Sequence, residues 1–150
     1  MLRVGLSLVS VSLCLVCLTA VPLLAGNCSK DLLKKVKTLL TNAKELKELE
    51  CKLYTPTVDH YKNCSQSTMK CLVAETKVLF LESEAADLSE ISKDKEEMVE
   101  NLEDFFYQMS PDPETDCLQC ESLEVQNAET FVKEFQSILQ SMCSLNISPV

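Results

Sequence analysis

Two cysteines three positions apart, Cys117 and Cys120, open the stretch CLQCESLEVQNAETFVKEFQSIL at residues 117–139. Cysteines at this spacing do one of three kinds of chemistry: dithiol exchange, zinc coordination or structural cross-linking. Five more, at positions 28, 51, 64, 71 and 143, follow residue 27, and Cys14 and Cys17 lie in an apolar N-terminal run. A redox pair belongs in a βαβ setting. A four-cysteine zinc site wants two close-spaced pairs, and the six residues between Cys64 and Cys71 make a poor knuckle. The choice turns on which elements carry these residues.

Other chemistry is sparse. The one histidine, His60, sits in a polar connection with no serine or cysteine motif around it. Both glycines, Gly5 and Gly26, fall near the N-terminus, so the rest of the chain cannot build a glycine-rich phosphate loop. Carboxylates are many but are expected on solvated helix faces. No active site, cofactor or metal is expected, nor a small-molecule substrate.

Arg3 precedes an apolar stretch from Val4 to Ala25 without an acidic residue, the pattern of a secretory leader. The stretch is nearly long enough to span a bilayer as a retained anchor, but Pro22, Ala25 and Gly26 fit a cleavage region better. The expectation is a signal peptide over 1–26 and one domain over 27–150, secreted. Beyond the leader stand 13 lysines, no arginine and 23 acidic residues. This balance argues against nucleic acid and anionic membranes as partners and favours a receptor with basic patches.

Four stretches show helical periodicity. Leu32, Val36, Leu39, Leu40, Ala43 and Leu46 predict one helix over about Ser29 to Glu50. The period fails through KLYTPTVDHYKNCSQS, a long connection, and returns near Thr68 with Met69, Leu72, Val73, Thr76, Leu79 and Phe80. A third run, Leu88, Ile91, Met98, Leu102, Phe105 and Met109, stops at Ser110-Pro111. The fourth, Ala128, Phe131, Val132, Phe135, Ile138, Leu139 and Met142, has the cleanest stripe. No segment alternates with period two for long enough to predict a strand. The fold class is all-α, a disulfide-stapled short-chain four-helix bundle with helices running up, up, down, down.

In that topology Cys28, before the first helix, can meet Cys143, at the end of the fourth. Cys28 and Cys51 lie at opposite ends of a helix about 30 Å long and cannot. Cys64 and Cys71 are separated by about 10.5 Å along a helix. Cys117 and Cys120 are separated by about 10 Å along extended chain. A crossover climbing beside the second helix therefore allows Cys64 to pair with Cys117 and Cys71 with Cys120, leaving Cys51 as the odd thiol. An all-helical pattern also removes the βαβ setting that the redox reading needs.

Leu53-Tyr54-Thr55, Met69-Lys70-Cys71, Leu81-Glu82-Ser83, Val99-Glu100-Asn101-Leu102, Cys117-x-x-Cys120-Glu121-x-Leu123-Glu124 and Gln140, in this order and at these separations, resemble the interleukin-15 family of cytokines. Interleukin-2 and the interleukin-15-like cytokines share much of the pattern. The resemblance implies a four-helix cytokine that binds a sushi-type alpha receptor, a shared beta chain and the common gamma chain to drive lymphocyte growth and survival. It also implies the Cys64–Cys117 and Cys71–Cys120 bridges. By resemblance Tyr54, Glu75, Val78 and Glu82 face the alpha receptor, Asp31 and Asn101 the beta chain, and Gln140 the gamma chain. Asp31 matches less well, because Asp31-Leu32-Leu33-Lys34-Lys35 carries one leucine more than the family pattern. Independently of resemblance, Ala74, Val78 and Leu81 form a second apolar row on the second helix, with Glu75 and Glu82 expected to rim it. Three sequons begin at Asn27, Asn63 and Asn146. Asn146, where the family also carries one, is the expected glycan site, since a middle cysteine makes the other two poorer acceptors.

Overall fold

The computed structural model describes residues 28–111 and 116–147, with side chains as far as residue 144. The expected leader over 1–26, Asn27 and the side chain of Asn146 lie outside the described residues. The chain order is α1 (Lys30–Thr41), α2 (Ala43–Glu48), β1 (Lys52–Tyr54), α3 (Val58–Asn63), α4 (Ser65–Ala85), α5 (Ser89–Ser92) and α6 (Lys95–Tyr107). A 3-10 turn (Cys120–Ser122), β2 (Val125–Asn127) and α7 (Ala128–Ile147) complete it.

The first predicted helix is two helices. Ser29 caps α1 by accepting the Leu32 N–H at 3.1 Å. Near its other end the Thr38 and Thr41 hydroxyls donate to the carbonyls of Lys34 and Thr38, at 3.0 and 2.6 Å. Such side chains compete with the helical ladder. Asn42 leaves helical geometry at ψ 38°. The break re-aims the chain so that Leu46 and Leu49 still reach the core.

The connection expected to be irregular is ordered too. Thr57 and His60 form a capping box, with the Thr57 N–H donating to His60 Nδ1 at 2.9 Å, so His60 belongs to α3 and not to a loop. Helix α4 starts at Ser65, earlier than the apolar period suggests. Its end explains how a domain without glycine turns a helix around. Asp87 adopts φ 62°, the left-handed position glycine ordinarily fills. The Leu88 N–H donates to Ser83 O at 2.8 Å and the Asp87 N–H to Glu84 O at 3.1 Å, the pair of bonds that closes a Schellman turn. The third predicted helix is likewise divided, into α5 and α6.

A two-stranded antiparallel sheet, which the sequence did not predict, pairs Lys52 with Asn127, Leu53 with Gln126 and Tyr54 with Val125. Three-residue strands are too short to show alternation. Next in sequence, Asn127 Oδ1 accepts the Thr130 N–H at 2.8 Å and caps α7.

Cross-helix contacts give the directions. Lys35 reaches Glu97 while Asp31 reaches Asn101, so α1 and α6 run antiparallel. Lys77 bonds Glu103 and Lys95 bonds Glu84, so α4 and α6 are antiparallel. The Cys28–Cys143 bridge and the Lys47–Glu129 pair set α7 antiparallel to α1. The result is an up-up-down-down bundle. Its core joins Leu32, Val36 and Leu39 of α1, Met69, Leu72, Leu79 and Phe80 of α4, Met98 and Leu102 of α6, and the whole stripe of α7 from Ala128 to Met142.

The Cys64–Cys117 and Cys71–Cys120 bridges span 53 and 49 residues. In the chain-entropy account each stabilises the fold by about 4 kcal/mol. The paired substitution Cys71→Ala with Cys120→Ala should lower the unfolding free energy by about that amount in urea titration; a loss below ~1 kcal/mol would mean that the crossover is held without it.

Candidate functional surfaces

Six of the seven described cysteines are spent structurally. Cys117 and Cys120 are each bonded to α4, with Cα separations of 5.8 and 5.2 Å, so they do not form the dithiol that exchange chemistry requires. Cys28 is bonded to Cys143. Cys51 keeps its thiol, but it is only 7% exposed. Burial pushes its pKa up, and the charges of Glu82 and Glu75 push the same way. It is a poor nucleophile.

One surface lies on α4 and β1. Of the second apolar row, Ala74 and Leu81 are exposed, Leu81 to 65%, and Val78 is half-buried with part of its side chain packed on the core. Glu82 is exposed and Tyr54 half-buried. Glu75 is different from expectation: it does not rim the surface but is 8% exposed, and its Oε2 accepts the Tyr54 N–H at 2.8 Å. It thus ties β1 to α4 from beneath. Burial holds its carboxyl above the usual glutamate range, the Tyr54 N–H opposes that rise, and the Glu121 charge adds to it. Sequence reasoning missed this because Tyr54 and Glu75 are 21 residues apart and meet only through the sheet.

A second surface joins α1 and α6. Asn101 Nδ2 donates to Asp31 Oδ2 at 3.3 Å, bringing together two residues 70 apart in sequence. Lys35 lies beneath them, its side chain 15% exposed, 3.3 Å from Asp31 and 2.8 Å from Glu97. The hydrogen bond that Lys35 donates to Glu97 is the main cause that raises the Lys35 pKa. Asp31 and Lys35 stand four residues apart on one helix face, a spacing that could have flagged the lysine. A groove of about 450 Å³ between α4 and α6 is lined by Phe80, Leu81 and Val99.

Gln140 is exposed on α7, outside the buried stripe. It touches neither of the other two clusters among the bonds described.

The family model described as Interleukin 15 matches residues 9–144. This chain belongs to that family. No curated protein and no solved structure matches it. The cytokine is therefore a helical bundle of a secreted family whose partners are cytokine receptors, and its three disulfides fit an extracellular protein.

The burial of Glu75 sets a pH dependence. A carboxyl whose pKa is raised on folding favours the folded state at low pH, and that advantage is lost as pH rises from the ordinary glutamate range through the raised value. Glu75→Gln keeps an acceptor for Tyr54 and removes the titration. Its stability relative to the parent should climb through that window in urea titrations run across pH, and a flat difference would contradict the burial. Glu75→Lys, which orphans the Tyr54 N–H, should cost at least about 1–3 kcal/mol and so lower the amount of folded protein.

Proposed function

We propose that the cytokine acts by assembling three receptor chains on a rigid bundle, with the surface on α4 and β1 taking a sushi-type alpha receptor. Val78, Glu82 and the ring of Tyr54 make that contact, while Glu75 holds the strand that presents Tyr54. The Asp31–Asn101 cluster takes the shared beta chain, and Gln140 takes the common gamma chain. The shared chains then transmit a signal for lymphocyte growth and survival.

The observation that carries this reading is the placement of the matched residues. Asp31 and Asn101, which the resemblance assigns to one receptor, are hydrogen-bonded neighbours although they come from different helices. One leucine more than the family pattern follows Asp31, and the Asn101 bond supports keeping Asp31 in the cluster. The half-buried Lys35 offsets the two carboxylates and orients them, so that an incoming basic group meets a set geometry. On α4 an exposed acidic Glu82 next to apolar Val78 and Leu81 has the character of an interface: an apolar centre with a charged edge. The acidic net charge of −9 favours fast encounter with basic receptor patches.

Glu82→Lys should weaken binding to an alpha-receptor sushi domain at least tenfold without moving the thermal midpoint, since Glu82 is exposed. Unchanged affinity would remove α4 from the interface. A Gln140→Asp variant should bind the sushi domain normally and signal weakly in cells that carry the beta and gamma chains. Full signalling would reject the gamma assignment, and loss of both functions would indicate misfolding.

A further inference from the structure

The sequence marks three acceptor sequons, and Asn63 is the one whose asparagine side chain falls within the described residues. We propose that Asn63 carries an N-linked glycan whose first sugars cover the hollow between α4 and the disulfide-bonded crossover. The reading is independent of the receptor assignments and rests only on passage through the secretory route.

Asn63 is exposed at the last position of α3, where the chain turns through Cys64 at φ −142° into α4. Its side chain lines a hollow of about 200 Å³ together with His60, Cys64, Thr68, Leu118 and Leu123. Leu118 is 54% exposed, one of few large apolar side chains left in solvent, and it lies between the two cysteines bonded to α4. An apolar side chain beside a sequon is where the apolar face of an N-acetylglucosamine ring finds a partner, and a glycan there keeps Leu118 from contacts between molecules. Val78 lies about 20 Å farther along α4, so the attachment point leaves the α4 and β1 surface open.

The transfer uses a lipid-linked diphosphate oligosaccharide as donor and an oligosaccharyl transferase. The C1–O bond of the reducing-end N-acetylglucosamine breaks, Asn63 Nδ2 forms the new bond to C1, the amide loses one proton and the lipid diphosphate departs. The acceptor segment must be extended for this. In the folded protein Ser65 is already in the first turn of α4, so addition precedes folding and precedes the closing of Cys64 with Cys117.

The test is the full chain secreted from animal cells. Peptide mapping should show the peptide containing residue 63 with a hexose and N-acetylhexosamine mass that peptide N-glycosidase removes, and Ser65→Ala, which leaves Asn63 in place, should abolish it. Recovery of that peptide wholly unmodified from the secreted parent overturns the proposal. Ser65→Ala should also raise the binding of a hydrophobic dye at least twofold, with Leu118→Ser in the same chain reversing the rise. Dye binding that ignores the glycan would refute the covering role.

Discussion

Two sulfur bridges, one from Cys64 at the N-cap of α4 and one from Cys71 within it, govern where the returning chain runs. Cys64 and Cys71 are joined by the first two turns of α4, while Cys117 leads through irregular chain to Cys120 at the start of the 3-10 turn, and the nearly equal reach of the two segments lets both bridges form side by side. The crossover is thereby held against α4. From there it delivers Val125–Asn127 to β1, and Asn127 caps α7 in the next step. The position of the strongest apolar helix in the bundle thus follows from a pair of covalent links more than one turn away from its start.

A titratable side chain set below the surface is used in the same way at both candidate surfaces. Glu75 lies under β1 and accepts the Tyr54 N–H; Lys35 lies under Asp31 and Glu97 and bonds both. In each case the residue with little exposure holds a more exposed neighbour in place. A charge removed from water costs stability unless it is paired, so each of these residues is partnered. Glu82, Asp31 and Gln140 stay exposed on this frame, with Asn101 half-buried beside Asp31.

The absence of glycine after Gly26 shapes the architecture. The sharp reversal between α4 and α5 needs one residue at positive φ, and Asp87 supplies it at some cost because aspartate tolerates the left-handed region better than most side chains. The breaks at Asn42 and Asp94 use residues of low helix propensity in the same spirit.

The all-α class, the four apolar stripes and the reach of the cysteine pairs are local quantities, and they were legible in the order of residues. Phe131, Val132, Phe135, Ile138, Leu139 and Met142 recur at helical spacing whatever surrounds them, and all six are buried. The family was legible too, through short motifs at fixed separations. The tertiary structure alone decided which partners the polar residues of those motifs find. Glu75 looks like a surface carboxylate in sequence and becomes a buried acceptor because β1, 21 residues earlier, passes over it. Asp31 and Asn101 become one cluster because α1 and α6 cross there. Periodicity records which face of a helix turns inward, but the partner a polar group finds depends on chain brought near by folding, and that information has no fixed spacing along the sequence.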